Sequence, residues 1–322
     1  MSVLFKPLIL FSFSLLISSV SAKSFDRRAR VIHIDVQENW DKSWYNSREG
    51  KEKSLEKVLQ TLATSKTGRL IIARSTEKAK SVGASLRDVI DVGSSSLTDT
   101  TLIRKFSPDN PSEIHYQTKS KVYLNKGLSF QDAVLDLAHE LTHYSYREPF
   151  NPYVTKFTVD QFVSSVIEGR GGEVDAYLIE CRVLKELRPS NFKTSSNCKN
   201  VVDPQTGNFS KSLGVARFYD VGEYSENFEE IINKYGWEKS KFPKLGKGEA
   251  LYISSAYGLP YPVAALSEFT TIMGKACEND YNRLVMMREG MGTSSRSPAS
   301  FSFGKFKNLY ASYKTRCSQF RP

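Results

Sequence analysis

The stretch Leu128–Tyr146 reads LSFQDAVLDLAHELTHYSY, and its folding decides how the rest of the chain is read. Ser129 is a good helix N-cap, and Asp132 stands three residues later, which resembles a capping box. Phe130, Ala133, Val134, Leu137 and Leu141 recur at helical spacing and define a stripe to be buried. No Gly or Pro interrupts Ser129 to Glu148, and Pro149 supplies a stop. The spacing therefore predicts a helix carrying His139, Glu140 and His143 in the pattern H-E-x-x-H. Residues four apart lie one turn above each other on one face, so the two imidazoles can grip a single metal ion. Glu140 stands beside them, where it can take a proton from a water on that ion. The plainer reading is an amphipathic helix with two incidental histidines. The chain has four histidines, at 33, 115, 139 and 143, and half of them fall one turn apart with Glu in the required slot, which favours the metal.

Outward from this helix, the N-terminus reads as a targeting segment. Lys6 gives a short basic start, Leu8 to Ile17 is an apolar run too short for a comfortable membrane span, and Val20-Ser21-Ala22 is a small-residue cleavage site. A mature chain beginning at Lys23 and exported to a secreted or periplasmic location is expected, with no stable membrane anchor. The 322 residues can bury a sizeable core. All four cysteines, Cys181, Cys198, Cys277 and Cys317, follow the targeting segment, and an even count in an oxidising compartment implies two disulfides. Of the three pairings, Cys181–Cys198 and Cys277–Cys317 are favoured because each closes a local segment. The net charge is +10. A basic balance suits an anionic neighbourhood such as a cell-envelope polymer, but the Lys and Arg are scattered among acids and no nucleic-acid-binding motif occurs, so a generally solvated surface is the better reading.

Along the chain, Arg30 to Gln37 alternates as a strand, and Trp40, Trp44 and Tyr45 either close one end of a core or stack on a ligand. Lys53 to Thr64 reads as a helix, Gly68 as an interruption, and Arg69 to Arg74 as either strand or helix. Thr76 to Ser81 and Ser85 to Val92 are weaker elements. Gly93 to Asp99 and Ser107 to Ser112 read as loops. Lys121 to Asn125 reads as a short edge strand before the metal helix, able to pair with an extended substrate backbone. Helices are expected over 159–168, 173–187, 224–235 and 303–315, and one long helix or two over 263–288, with a long stapled loop over 190–212. The expected organisation is a signal peptide at 1–22, an N-terminal part of the fold at 23–114, a zinc-binding core at 115–190 and a helical C-terminal subdomain at 191–322. Residues 23 to about 110 could be a removable propeptide, although the strand at 30–37 argues for the fold.

A catalytic zinc site takes three protein ligands and keeps one position open. No histidine follows His143, so a third histidine downstream is excluded. Glu173 is the best third ligand. It opens an expected helix 30 residues after His143, follows two glycines that permit close packing, and begins the segment EVDA. Glu168, Asp175 and Glu180 are its rivals. On His139, Glu140, His143 and Glu173, the chain resembles the glutamate-ligand zincins, the gluzincin metallopeptidases. The resemblance covers residues 115 to 187. It implies an α+β, zincin-like fold, with a small mixed sheet packed on the metal-binding helix and a mostly helical C-terminal half. The second motif departs from the thermolysin-like form, which has an aspartate one turn after the ligand; here that place is Tyr177, with Asp175 two residues on, so the acid that orients a ligand is left open.

The expected activity is that of an exported zinc (Zn2+) metalloendopeptidase acting on a protein or peptide substrate, with Glu140 as general base. Tyr257 and Tyr261, in an aromatic turn segment, are the candidates to stabilise the oxyanion, with Tyr177 a third. Two other readings compete: a hydrolase of cell-wall peptides, and a non-enzymatic zinc-stabilised binding module. The intact Glu140 speaks against the last, since a structural site needs only ligands.

Overall fold

Ser54, Leu55, Val58 and Leu62 recur at three- and four-residue steps and are buried, which makes helix α1 (Gly50–Thr64) the first amphipathic element. In this computed structural model the described residues are 40–107, 110–154, 157–194, 196–292 and 303–320. The expected signal peptide at 1–22 and strand at 30–37 lie outside them.

Gly68 does not interrupt the chain as expected. It sits in the first turn of α2 (Lys66–Ser81), where its N–H donates to the Ser65 hydroxyl at 2.7 Å. A Cβ there would lie 2.0 Å from the Leu62 carbonyl oxygen, so glycine permits the tight α1–α2 corner. The ambiguous run Arg69 to Arg74 is helical, and Ile71, Ser75 and Ala79 face the core. A capping box between Ser85 and Asp88 starts the short α3 (Leu86–Val89), which runs into β1 (Ile90–Gly93).

The loop expected at 93–99 is confined to 94–96, and β2 (Leu97–Ser107) with β3 (Asn110–Asn125) forms a long antiparallel hairpin that takes in residues 107 and 110–112 of the second expected loop. Their side chains are mostly polar on both faces, so the alternation that betrays a half-buried strand is missing. The sheet order is β1-β3-β2, with β1 parallel and β2 antiparallel to β3. The expected edge strand at 121–125 is therefore the middle strand, because β1 pairs with it from the other side; β2 is an edge. Asp91 of β1 is paired with Lys121 of β3 at 2.8 Å and with Lys51 of α1 at 3.1 Å. The Lys121 hydrogen bond, opposed by burial, holds the Asp91 carboxyl down to about 2. A depressed carboxyl stabilises the fold fully above its unfolded value near 3.8, and that contribution is lost as pH falls through about 2. Asp91→Asn should cost about 1 kcal/mol at neutral pH, after discounting for solvent screening of a pair at the surface, and close to nothing near pH 2. Urea unfolding at both pH values checks this.

Helix α4 (Phe130–Tyr146) carries the motif. Its N-cap Ser129 accepts from the Asp132 N–H at 3.1 Å, as the sequence leads one to expect. Trp44 closes the end of the core nearby, donating from Nε1 to the Asn125 carbonyl at 2.7 Å, and Trp40 packs edge-on against Phe130. Helices α1 and α2 pack on one side of α4, β3 lies over it, and a later helix, α6 (Glu173–Leu187), packs on another side after α5 (Val159–Ile167). Leu137 and Leu141 of α4, with Val122 and Leu124 of β3, are fully buried at this junction.

The stretch 190–212 is less irregular than expected. It holds α7 (Pro189–Thr194), α8 (Ser196–Lys199) and the start of α9 (Lys211–Phe218). There follow α10 (Ser225–Lys234), α11 (Tyr261–Gly292) and α12 (Phe303–Cys317). Both favoured disulfides are present: Cys181–Cys198 ties α8 to α6, and Cys277–Cys317 ties α12 to α11. The closed loops, 17 and 40 residues in sequence separation, correspond to about 3 and about 4 kcal/mol of chain-entropy stabilisation. The hairpin is anchored to this half by buried charges: Arg104 of β2 pairs with Asp280 of α11 at 2.6 Å, Arg316 of α12 binds the same carboxylate, and the Arg104 guanidinium stacks on Tyr153. The architecture is thus α+β, with a small mixed sheet and a predominantly helical second half. Among the described residues no helix is long and apolar enough to cross a membrane.

Candidate metal centre

Two helices build the site. The buried stripe of α4 fixes its roll, so His139 and His143 both turn toward α6 with their rings 4.7 Å apart. Helix α6 begins at Glu173, and its first side chain reaches back between the two imidazoles. Glu173 Oε2 lies 3.4 Å from His139 Nε2 and 3.4 Å from His143 Nε2. One donor atom from each of the three residues falls within 4.8 Å of the other two. The two histidine–carboxylate distances match a tetrahedral site, in which donors with bonds of about 2.0–2.1 Å stand about 3.3–3.4 Å apart.

The far nitrogen of each imidazole is occupied. His139 Nδ1 lies 3.3 Å from Glu180 Oε2, and His143 Nδ1 lies 2.8 Å from the Gly171 carbonyl oxygen. A carboxylate and a carbonyl can only accept, so both Nδ1 atoms carry hydrogen and both Nε2 atoms are presented toward Glu173. This is the arrangement that readies a histidine to bind metal. Glu180 is seven residues after Glu173, two turns along α6 on the same face, so the open question of the orienting acid has a geometric answer.

The neighbouring acids favour positive charge on His139. Burial works against charge on His139, but Glu173, Glu180 and Glu140 outweigh it and hold its pKa well above the ordinary histidine value. Burial likewise pushes the Glu173 carboxyl up, yet the charge on His143 and hydrogen bonds from both imidazoles drive it well below the usual carboxylate range. Glu140 is buried, and Thr98 of β2 holds it: the Thr98 hydroxyl lies 2.8 Å from Glu140 Oε2 and 2.9 Å from the Glu140 carbonyl oxygen, sharing its one hydrogen. Three carboxylates thus converge on two histidines. The donor set, two imidazole nitrogens and a carboxylate with an acid beside them, fits zinc.

Glycine sets the approach of the two helices. Gly171 has φ +70, and a Cβ there would lie 2.6 Å from Tyr146 Cβ and 2.7 Å from the Arg147 nitrogen, at the end of α4. Gly171→Ala should therefore cost roughly 2–4 kcal/mol, part from backbone strain and part from forcing α6 away from α4. Thermal unfolding of the variant checks this; a loss under 1 kcal/mol would show that the corner gives way easily.

Of the rivals of Glu173, Glu180 lies against the far nitrogen of His139, and the other two are engaged elsewhere. Glu168 binds Lys244 and accepts from Ser164 and Tyr219, while Asp175 accepts from the Gly171 N–H and pairs with Lys211. Of the tyrosines, Tyr177 packs against the stacked pair of Phe218 and Tyr252, and the Tyr261 ring lies 5.2 Å from that of Phe218. Tyr257 is exposed and within electrostatic reach of Glu268 of α11 and of Arg147; Glu268 in turn senses Glu173 and His143, its carboxyl pushed up by burial. Sequence reading missed Thr98 and the Gly171 carbonyl, neither of which carries a local signal, and it named Glu180 only as a rival ligand. No protein-family profile, curated protein or solved structure matches the chain, so the geometry stands on its own.

Proposed function

We propose that this chain is a zinc-dependent metallopeptidase of the glutamate-ligand zincin kind, hydrolysing peptide bonds with Glu140 as general base. The observation that carries the reading is the donor set: His139, His143 and Glu173 converge, and each histidine has its other nitrogen tied to an acceptor. His139 Nε2, His143 Nε2 and a Glu173 oxygen would hold the ion. Bound there, zinc supplies Lewis acidity and brings the ionisation of water close to neutral pH.

The rest falls to the protein. Thr98 fixes one oxygen of Glu140, which restrains the carboxylate while its other oxygen is left to accept a proton from the attacking water. Glu140 then returns that proton to the leaving nitrogen. Strand β2 is outermost in the sheet and meets α4 through Thr98, so an extended substrate paired along β2 would be led to Glu140. The Tyr257 phenol is protonated at neutral pH, with partial desolvation and the charge of Glu268 pushing it from 10 to about 12, and it can donate to a developing oxyanion; Tyr261 is the second candidate for that donor. Two disulfides and the expected signal peptide favour an exported, secreted or periplasmic enzyme.

The test is hydrolysis by the purified chain on casein and on isolated peptidoglycan, with and without a zinc chelator. Chelator-sensitive cleavage of casein supports a general endopeptidase, and cleavage of peptidoglycan alone supports a cell-wall peptidase. A chain that cleaves equally well after complete zinc removal would contradict the reading.

A further inference from the structure

Asp175 is two residues past Glu173 and does not point its carboxylate at the metal donors. Both of its oxygens are engaged: Oδ2 accepts from the Gly171 N–H at 3.0 Å, and Oδ1 pairs with Lys211 Nζ at 2.7 Å. Gly171 is the residue whose carbonyl oxygen accepts from His143 Nδ1. The Gly171 carbonyl shares its peptide plane with the Gly172 N–H, which donates to the Gly169 carbonyl oxygen at 2.9 Å, and the remaining freedom lies in the torsions of Gly171 itself, which at φ +70 has no side chain to restrain it. Asp175 holds the preceding peptide through the Gly171 N–H, so the planes on both sides of Gly171 are pinned and the corner that carries the carbonyl is fixed.

We propose that Asp175 is a positioning residue for the metal centre, aiming the His143 imidazole through Gly171. This rests on the zinc reading above. Lys211 completes the device. It opens α9, and α9 presses on the first turn of α6: a Cβ at Gly214 would lie 2.8 Å from Val174 Cγ1. The Cys181–Cys198 disulfide ties the start of this segment to α6, and Ser210 caps α9. The polypeptide after the disulfide therefore reaches the metal site through one ion pair, one acid and the two peptides that meet at Gly171.

A plain capping role for Asp175 is the alternative, since an acid in the first turn also satisfies an N-terminal N–H and suits the helix dipole. Capping alone lowers thermal stability and leaves metal affinity alone. The test is the zinc affinity of the full chain, by competition with a chromophoric chelator, for wild type, Asp175→Ala, Asp175→Asn and Lys211→Met, each with its melting temperature. Asp175→Ala should weaken zinc binding by roughly 10-fold or more, the scale on which partners of metal-bound histidines act. Asp175→Asn keeps an oxygen for the Gly171 N–H and should stay within about threefold of wild type, and Lys211→Met should fall between the two. Wild-type affinity in Asp175→Ala, or equal loss in Asp175→Ala and Asp175→Asn, overturns the positioning role. If Asp175→Ala fails to fold, Lys211→Met decides, and unchanged affinity there overturns it. A wild-type chain that takes up no zinc overturns the metal reading and this role with it, whereas zinc-loaded wild type with an unaffected Asp175→Ala overturns this role alone.

Discussion

Glu140→Gln is expected to keep its zinc and lose peptide hydrolysis by a factor of about 10²–10⁴. Glutamine has nearly the same shape, can still accept from the Thr98 hydroxyl, and leaves the three donors of His139, His143 and Glu173 untouched. It cannot take a proton from water. The loss corresponds to roughly 3–5 kcal/mol in the barrier, which is the share a positioned general base supplies. Glu140 is buried, so part of any change could come from the new amide N–H2 lacking an acceptor; the melting temperature separates that from chemistry. Retained zinc with retained activity would remove Glu140 from the mechanism and return the non-enzymatic reading to first place.

Glu173→Ala is expected to abolish both zinc binding and activity. Apparent free energies of structural zinc sites with four ligands run to about 10–16 kcal/mol, so losing one ligand of three should weaken binding by at least about 10³-fold. His139 and His143 would face each other without the carboxylate that lies 3.4 Å from both. Glu180→Gln should be milder, about 10–100-fold in zinc affinity, since it removes the acceptor of His139 Nδ1 and no ligand. Zinc titrations of the two variants order them directly. If Glu180→Gln loses zinc while Glu173→Ala keeps it, the ligand has been assigned to the wrong carboxylate.

The helices were legible because their signals are local. The cap at Ser129, the stripe from Phe130 to Leu141 and the two glycines before Glu173 each act within a turn or two, and the structure places α4 and α6 within a residue or two of their expected bounds. Both disulfides followed from the same preference for local closure. The hairpin was hidden for the opposite reason. β2 and β3 are rich in exposed Thr and Lys, so neither face announces a core, and the pairing that holds them together extends from Ser107–Asn110 out to Leu97–Tyr123, beyond the reach of a local turn signal. That same pairing makes β3 the centre of the sheet and hands the free edge to β2. Thr98 and the Gly171 carbonyl were unreadable because one is an ordinary threonine in a polar run and the other is backbone. The role of Glu180 was within reach: seven residues separate it from Glu173, and two helical turns put both on one face.

The central claim is that His139, His143 and Glu173 hold one zinc ion. A crystal structure of the zinc-loaded chain, with anomalous data on both sides of the zinc edge, tests it most directly. The predicted result is a single strong anomalous peak about 2.0–2.2 Å from His139 Nε2, His143 Nε2 and a Glu173 oxygen, with Glu140 beside it and not bound to it. No peak at this position at full zinc loading, or a peak bound to Glu180 or Asp175 in place of Glu173, would contradict the claim.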